Sequence, residues 1–299
     1  HALAVSVKDR KDDVRLAAAL TRLAEEDPAL IVTQLPEFGE TRLSGQGEMH
    51  LRVTLERLAG RYGVSVESWP PQIGHRESIR GKASARGRHR KQSGGHGQYG
   101  DVVLEVEALP RGEGIRFIDR VVGGAVPRNY IASVEAGVRD YCQNGPLGFP
   151  LVDLAVTLTD GSHHSVDSSD MAFRQAARIA MAEAVPQAKP VLLEPILMVE
   201  VVVPSDAMSR ASAIVSSRRG QILGYDSRPG WRGWDQINAL IPEAEMAGLI
   251  VELRSATAGV GSFSARFDHL AELAGKPADA IVSAQAQTHA SAHPLAHAR

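Results

Sequence analysis

Apolar positions along the chain switch between a period near two and a period near 3.6, and the order of the switches repeats. Residues 2–7 read as a short apolar strand. Over 11–26, Val14, Leu16, Leu20, Leu23 and Ala24 recur near helical spacing, and Asp27-Pro28 ends the run. Segments 30–34 and 40–43 are expected to pair across the turn Pro36-Glu37-Phe38-Gly39. A second amphipathic helix at 47–61 would bury Leu51, Val53, Leu55 and Leu58, and 62–67 would close the sheet. A β-α-β-β-α-β order predicts a ferredoxin-like sandwich, four strands under two helices. Residues 192–268 repeat it, with strands at 196–203, 220–225, 235–241 and 261–267 and helices at 206–215 and 243–253.

Between the two lies a different α/β pattern. Strands are expected at 101–108, 115–121 and 152–158. A helix near 127–143 would carry Ile131, Val134, Val138 and Tyr141 on one face, with Asn144-Gly145-Pro146 as its stop. A second helix at 170–184 would start from Asp167 or Ser168 as N-cap and end at Pro186. Pro70-Pro71 marks the first boundary. The expected class is α+β, with domains at 1–70, 71–190 and 191–270. Residues 271–299, rich in Ala, Ser, Gln and His with little to bury, read as a disordered tail.

Candidate chemistry concentrates at 80–101. Arg80, Lys82, Arg86, Arg88, Arg90 and Lys91 occur without an acid among them, followed by Ser93-Gly94-Gly95-His96-Gly97-Gln98-Tyr99-Gly100. If the basic half is extended, Arg86, Arg88 and Arg90 share one face, and the glycines bring bare backbone close to a partner. That arrangement suits phosphate; a solvated strand edge with a long turn has the same composition. Gly95-x-Gly97-x-x-Gly100 spells a dinucleotide fingerprint, but a basic run precedes it and a strand pattern follows it, so the context is wrong on both sides. A second polar loop, Asp160 to Ser169, holds Ser162, His163, His164 and Ser165. Neighbours in one loop cannot orient one another as a catalytic triad, and adjacent histidines diverge, so neither hydrolysis nor a metal is expected there. Contact with RNA backbone or bases and a helix-capping turn both remain open. Arg218 and Arg219, at a helix-to-strand turn, read as a phosphate contact or as cations favoured at a helix C-terminus. His289, His293 and His297 have i, i+4, i+8 spacing, but Pro294 interrupts it, and no metal site is expected. No G-x-x-x-x-G-K-[ST] pattern occurs.

Composition narrows this further. A net charge of -2 over 299 residues confines any nucleic-acid surface to a local patch. The single cysteine, Cys142, excludes an internal disulfide and fits a reducing compartment. No apolar run reaches the roughly 18 residues of a membrane span. The chain opens on His1 directly in a strand pattern, as if cut from something longer.

Several segments together resemble translation elongation factor G. They are Arg22-Leu-Ala-Glu-Glu-Asp-Pro28, Gly45-Gln-Gly-Glu-Met-His-Leu51, Gln92 to Gly100, Asp160 to Phe173, Lys189-Pro-Val-Leu-Leu-Glu-Pro195 and Ser217-Arg-Arg-Gly220. The resemblance runs over about 2–270 and implies domains III, IV and V of that family. Those are two ferredoxin-like sandwiches flanking a domain like domain 2 of ribosomal protein S5. It implies a partner in the ribosome: the decoding centre and tRNA–mRNA for domain IV, and the large-subunit factor-binding region for domain V. Ser93, Gly94, Gly95, His96, Gly97, Gln98 and Tyr99 would form one tip loop and Ser162 to Val166 the other, with His164 near the tRNA–mRNA duplex. The implied role is translocation, in the cytoplasm, as a monomer away from membranes. A ribosome-recycling or ribosomal-protection paralogue and a free-standing RNA-binding module are the alternatives. GTP and Mg would belong to a nucleotide domain absent from this chain, so no cofactor and no catalytic residue are expected here. His163 stands where the family usually has Tyr, Met49 replaces a usual Leu, and Ala258-Gly-Val-Gly261 lacks an arginine often found between those glycines.

Overall fold

The structure, a computed structural model, describes residues 1–36, 39–92 and 97–292. It falls into two compact units, 1–73 with 197–268, and 74–196 with the segment from His269 onward.

In the first unit β1 (Ala2–Val7), α1 (Asp13–Glu26), β2 (Ile31–Leu35), β3 (Glu40–Ser44), α2 (Glu48–Tyr62) and β4 (Val66–Trp69) form a sheet in the order β2-β3-β1-β4. Both neighbours of β1 run antiparallel to it. Glu37 and Phe38, in the turn expected between β2 and β3, lie outside the described residues. α2 extends through Tyr62 because Gly63 takes a left-handed cap, so the last strand begins at Val66 rather than at 62. Its buried side is Leu51, Thr54 and Leu58; Val53 points outward, 39% exposed. Val14 of α1 is exposed as well. Two motifs of this unit meet: the His50 ring accepts from Gln46 N at Nδ1 and donates from Nε2 to Asp27 at 2.8 Å. That bond holds the Asp27 carboxyl below the usual carboxylate range.

Further along the chain come β10 (Pro190–Pro204), α5 (Met208–Ser217), β11 (Gln221–Ser227), β12 (Trp234–Pro242), α6 (Leu249–Ala256) and β13 (Ser262–Leu273). Their sheet order is β11-β12-β10-β13, the same permutation as in the first sandwich. Val199, Val201, Val203, Ala211, Ile237 and Leu253 fill its core. The fold class is therefore α+β with two ferredoxin-like sandwiches, as the repeated pattern predicts.

The second unit holds β5 (Arg76–Ile79), β6 (Lys82–Lys91), β7 (Gln98–Ala108), β8 (Ile115–Asp119), α3 (Arg128–Cys142), β9 (Leu154–Ser162) and α4 (Asp170–Gln187). Its sheet order is β6-β7-β9-β8, with β8 parallel to β9 and the other pairs antiparallel. Val102, Leu104 and Val106 of β7 point at α3 and α4, where Phe173 is fully buried and stacks on Tyr130 at 4.7 Å. Cys142 lies in this core, and burial pushes its thiol up to about 12.

Three expectations are corrected here. β9 does not stop at Leu158. A register shift at Thr159 lets it continue past Asp160-Gly161 to Ser162, so a pair that reads as a turn is strand. The N-cap of α4 is Ser169, whose hydroxyl accepts from Ala172 N, and Pro186 lies inside the last turn. The segment read as a disordered tail instead continues β13 to Leu273 and forms α7 (Lys276–Ala292). Alanine needs no tertiary burial to favour helix, Pro277 fits a first turn, and Gln285 Nε2 ties the helix to the Gly148 carbonyl at 3.0 Å. His293 and His297 lie outside the described residues.

Candidate nucleic-acid interface

The basic stretch is β6, paired with β7 from Lys82↔Glu107 to Lys91↔Gln98. Its two faces do different work. Ala85 and Gly87 turn toward α4, where a Cβ on Gly87 would lie 2.0 Å from the Ala176 carbonyl oxygen. A Cβ on Gly100, in β7, would lie 2.5 Å from the Ala172 carbonyl oxygen. Helix and hairpin approach as closely as they do because both positions lack a side chain. The opposite face carries Arg86, Arg88 and Arg90, all exposed or half-buried at the surface, as the alternation requires.

The row is not three free charges. Arg86 grips Asp101 with Nε at 2.8 Å and Nη2 at 2.7 Å, and Arg88 reaches the same carboxylate at 3.1 Å. Ser162 Oγ donates to it at 2.9 Å, and the Tyr99 hydroxyl lies 2.7 Å from that serine oxygen. Asp101 is fully buried beneath these groups. Burial pushes its carboxyl up, but the hydrogen bonds from Arg86, Ser162 and Arg88 outweigh burial and hold it below the usual carboxylate range. Arg86 and Arg88 thus splint β6 to β9 through one acid. Among the described residues Arg90 and Lys91 have no ion pair, and they carry the uncompensated charge.

The ends of the two loops are joined. Tyr99 N donates to Asp167 O at 2.8 Å, Gly97 N to Asp167 Oδ1 at 3.0 Å, and Ser168 Oγ to Tyr99 O at 3.0 Å. A Cβ on Gly97 would sit 2.8 Å from the Asp167 carboxyl carbon, so a side chain there would displace the carboxylate that its amide bonds. Exposed His164 is braced from within its loop: its Nδ1 lies 3.3 Å from Val166 N, 3.2 Å from Asp167 N and 3.4 Å from the Asp167 carboxylate. His163 faces Ala125 O at 3.4 Å, Gln98 bonds His89 at 2.9 Å, and Ser165 is exposed. An open cleft of about 410 Å³ lies among Arg90, Lys91, Gln98, Tyr99, His163 and His164. Ser93, Gly94, Gly95 and His96 lie outside the described residues.

Arg218, read as a phosphate contact or as a cation at a helix C-terminus, stands at the C-cap of α5 and turns inward. It is 9% exposed, its guanidinium donates to the Glu245 and Ala247 carbonyls, and it pairs with Glu252 at 2.9 Å. Its two terminal nitrogens are bonded inside the sandwich, while among the described residues the buried Nε has no partner. Arg219, at a positive φ of 55°, bonds Glu245 at 2.9 Å and keeps an exposed side chain. Sequence reading did not single out Asp101 and Asp167 as the two acids that organise the site. The signal for the first was in the register, because the only acid opposite an alternating Arg row sits directly across from Arg88.

Among the described residues this geometry supplies hydrogen-bond donors, rings and positive charge, and pairs no serine hydroxyl with an imidazole. The Ser162 and Ser168 hydroxyls are bonded to Asp101 and Tyr99, not to an imidazole. Gly97 and Gly100 of the glycine run lead into and lie within β7 rather than opening a helix, and Gly100 abuts α4.

Family models match nearly the whole chain: Elongation Factor G, domain III, over 1–69; Elongation factor G, domain IV, over 71–189; and Elongation factor G C-terminus over 191–281. A curated elongation factor G-like protein of Synechocystis sp. is 52% identical over 276 residues, 92% of this chain and 41% of that protein. A crystal structure of a protein from Thermus thermophilus superposes with a TM-score of 0.82 at 38% identity, over 96% of this chain and 42% of that one. The chain thus spans about two fifths of the length of the relatives it matches.

Proposed function

Because the chain belongs to the elongation factor G family, spanning its domains III and IV and its C-terminal domain, we propose that it is the ribosome-engaging half of a translation factor that promotes tRNA–mRNA translocation when joined to a nucleotide-binding region. One observation carries this reading: the ends of the loops at 97–99 and 163–168 are bonded into a single tip beside Arg90 and Lys91. The mechanism is mechanical and electrostatic. Chemical work done elsewhere moves the tip, the strands and the Asp101 splint transmit force without bending, and the cations and rings meet phosphate and unstacked bases at the decoding centre. Occupying the vacated space then blocks reverse movement. This work takes place on the ribosome in the cytoplasm, and the third domain, where Arg219 keeps an exposed side chain beside Glu245, faces the large subunit.

Co-sedimentation with ribosomes across a salt series, beside naked RNA, tests it. The chain should bind ribosomes well above naked RNA. Arg90→Ala with Lys91→Ala should make the slope of log affinity against log salt shallower by roughly 2, since each phosphate no longer neutralised accounts for about 0.9. His164→Ala should weaken binding without changing the slope. Equal binding to ribosomes and naked RNA would sink the proposal.

A further inference from the structure

A second surface lies far along the sequence from the tip, on the turn joining β11 to β12, Arg228-Pro-Gly-Trp-Arg-Gly-Trp234. The turn is built, not loose. Arg228 N donates to Trp234 O at 2.8 Å, Trp231 N to Arg228 O at 3.1 Å, and Ser205 N to Gly233 O at 3.0 Å. Gly230 and Gly233 take positive φ angles of 77° and 79°, which L-residues resist, and so hold the two indoles at the turn. Trp231 and Trp234 meet edge to face at 5.2 Å and 86°, yet Trp231 remains 53% exposed. Leaving so large an apolar ring in water has a cost that packing elsewhere in the sandwich does not require.

Around the rings the charge is positive. The Arg228 guanidinium carbon lies 5.9 Å from the Trp231 ring centre, and Arg228 Nη1 bonds Gln236 at 2.9 Å, which fixes its position. Arg232 has no partner among the described residues. Asp235 is the one acid lining the open cleft of about 550 Å³ that these groups share with Ser205. A half-exposed indole flanked by guanidinium groups matches a base with its phosphates: the ring stacks and the arginines neutralise. We propose that this turn is a single-stranded RNA contact, in which Trp231 stacks on one unpaired base and Arg228 and Arg232 meet its flanking phosphates. It uses no residue of the tip, and the two can be tested apart.

Fluorescence titration of the full chain with a short oligoadenylate, a duplex RNA and a proline-rich peptide tests it. The oligoadenylate should quench indole emission saturably and the duplex should do so far less. Trp231→Ala should weaken oligoadenylate binding by roughly tenfold or more, as expected when one base stack is removed. Trp231→Phe should retain most of the affinity, and Arg232→Gln should make the salt slope shallower by about 1. His164→Ala should leave this titration unchanged. No saturable quenching, unaltered binding by Trp231→Ala at an unchanged melting temperature, or quenching by the proline-rich peptide alone would each overturn the proposal. None of these results bears on ribosome binding through the tip.

Discussion

At Asp101 burial and hydrogen bonding act on one carboxyl in opposite senses, and the second wins. Removing the charge therefore leaves two guanidinium groups competing for a weaker acceptor over a buried site. Asp101→Asn should destabilise the chain by about 2 kcal/mol, the scale of charged hydrogen bonds broken at a partly exposed pair. Urea unfolding checks it, and an unchanged midpoint would mean that the arginines re-pair with Asp160 or solvent. The same splint alters how the basic residues read. Sequence spacing correctly put Arg86, Arg88 and Arg90 on one face. It did not reveal that two of them are held by an acid ten or more positions away, because hairpin register and not composition makes that pairing.

Elements here were legible where an apolar period is long and uninterrupted. Both sandwiches were readable for that reason, as were α3 and α4. The failures share a cause. β9 runs through Asp160-Gly161 because cross-strand pairing with β7 overrides local turn preference. α2 overruns Arg61 because Gly63, and not an apolar count, sets its end. α7 forms from a segment with little to bury, since Ala and Gln favour helix on their own. The packing of α4 on the basic hairpin is specified by absences, and absences of side chain are easily read as flexibility. Gly87→Ala would place a methyl group 2.0 Å from the Ala176 carbonyl oxygen, against backbone rather than a movable side chain. It should cost about 3 kcal/mol or more in a thermal or urea melt, and wild-type stability would show that helix and hairpin part easily.

At the scale of the whole chain, the second unit carries an internal pH dependence. Glu77 of β5 is fully buried, its Oε1 accepting from Leu147 N at 2.9 Å and Phe149 N at 2.7 Å, while among the described residues Oε2 has no hydrogen-bond partner. Burial raises its carboxyl to about 7, despite those amides. Between the unfolded value of 4.5 and about 7 the folded state keeps a proton that the unfolded state has released, so stability falls as pH rises through that window. The contribution is present in full below the window and is lost above it, a difference on the order of 3 kcal/mol. Glu77→Gln should flatten the dependence. Parallel stability curves for the two proteins between about pH 5 and pH 8 would refute the assignment. Among the described residues no helix is long and apolar enough to cross a membrane, and no group of three or more His, Cys, Asp or Glu is placed to hold a metal.

The amino-acid sequence by itself determined the repeated β-α-β-β-α-β order, the middle domain with its one-sided arginine row, and the family, because period and motif are local properties that survive without coordinates. Tertiary structure alone decided which charges are available. Arg218 is locked beneath Glu245 and Glu252, Arg86 and Arg88 are shared with a buried aspartate, and Arg90 and Lys91 are left to act. The same holds for Trp231, left exposed against Trp234. Burial and pairing are set by residues distant along the chain, so the strength of a charge or the reach of a ring cannot be read from its neighbours in sequence.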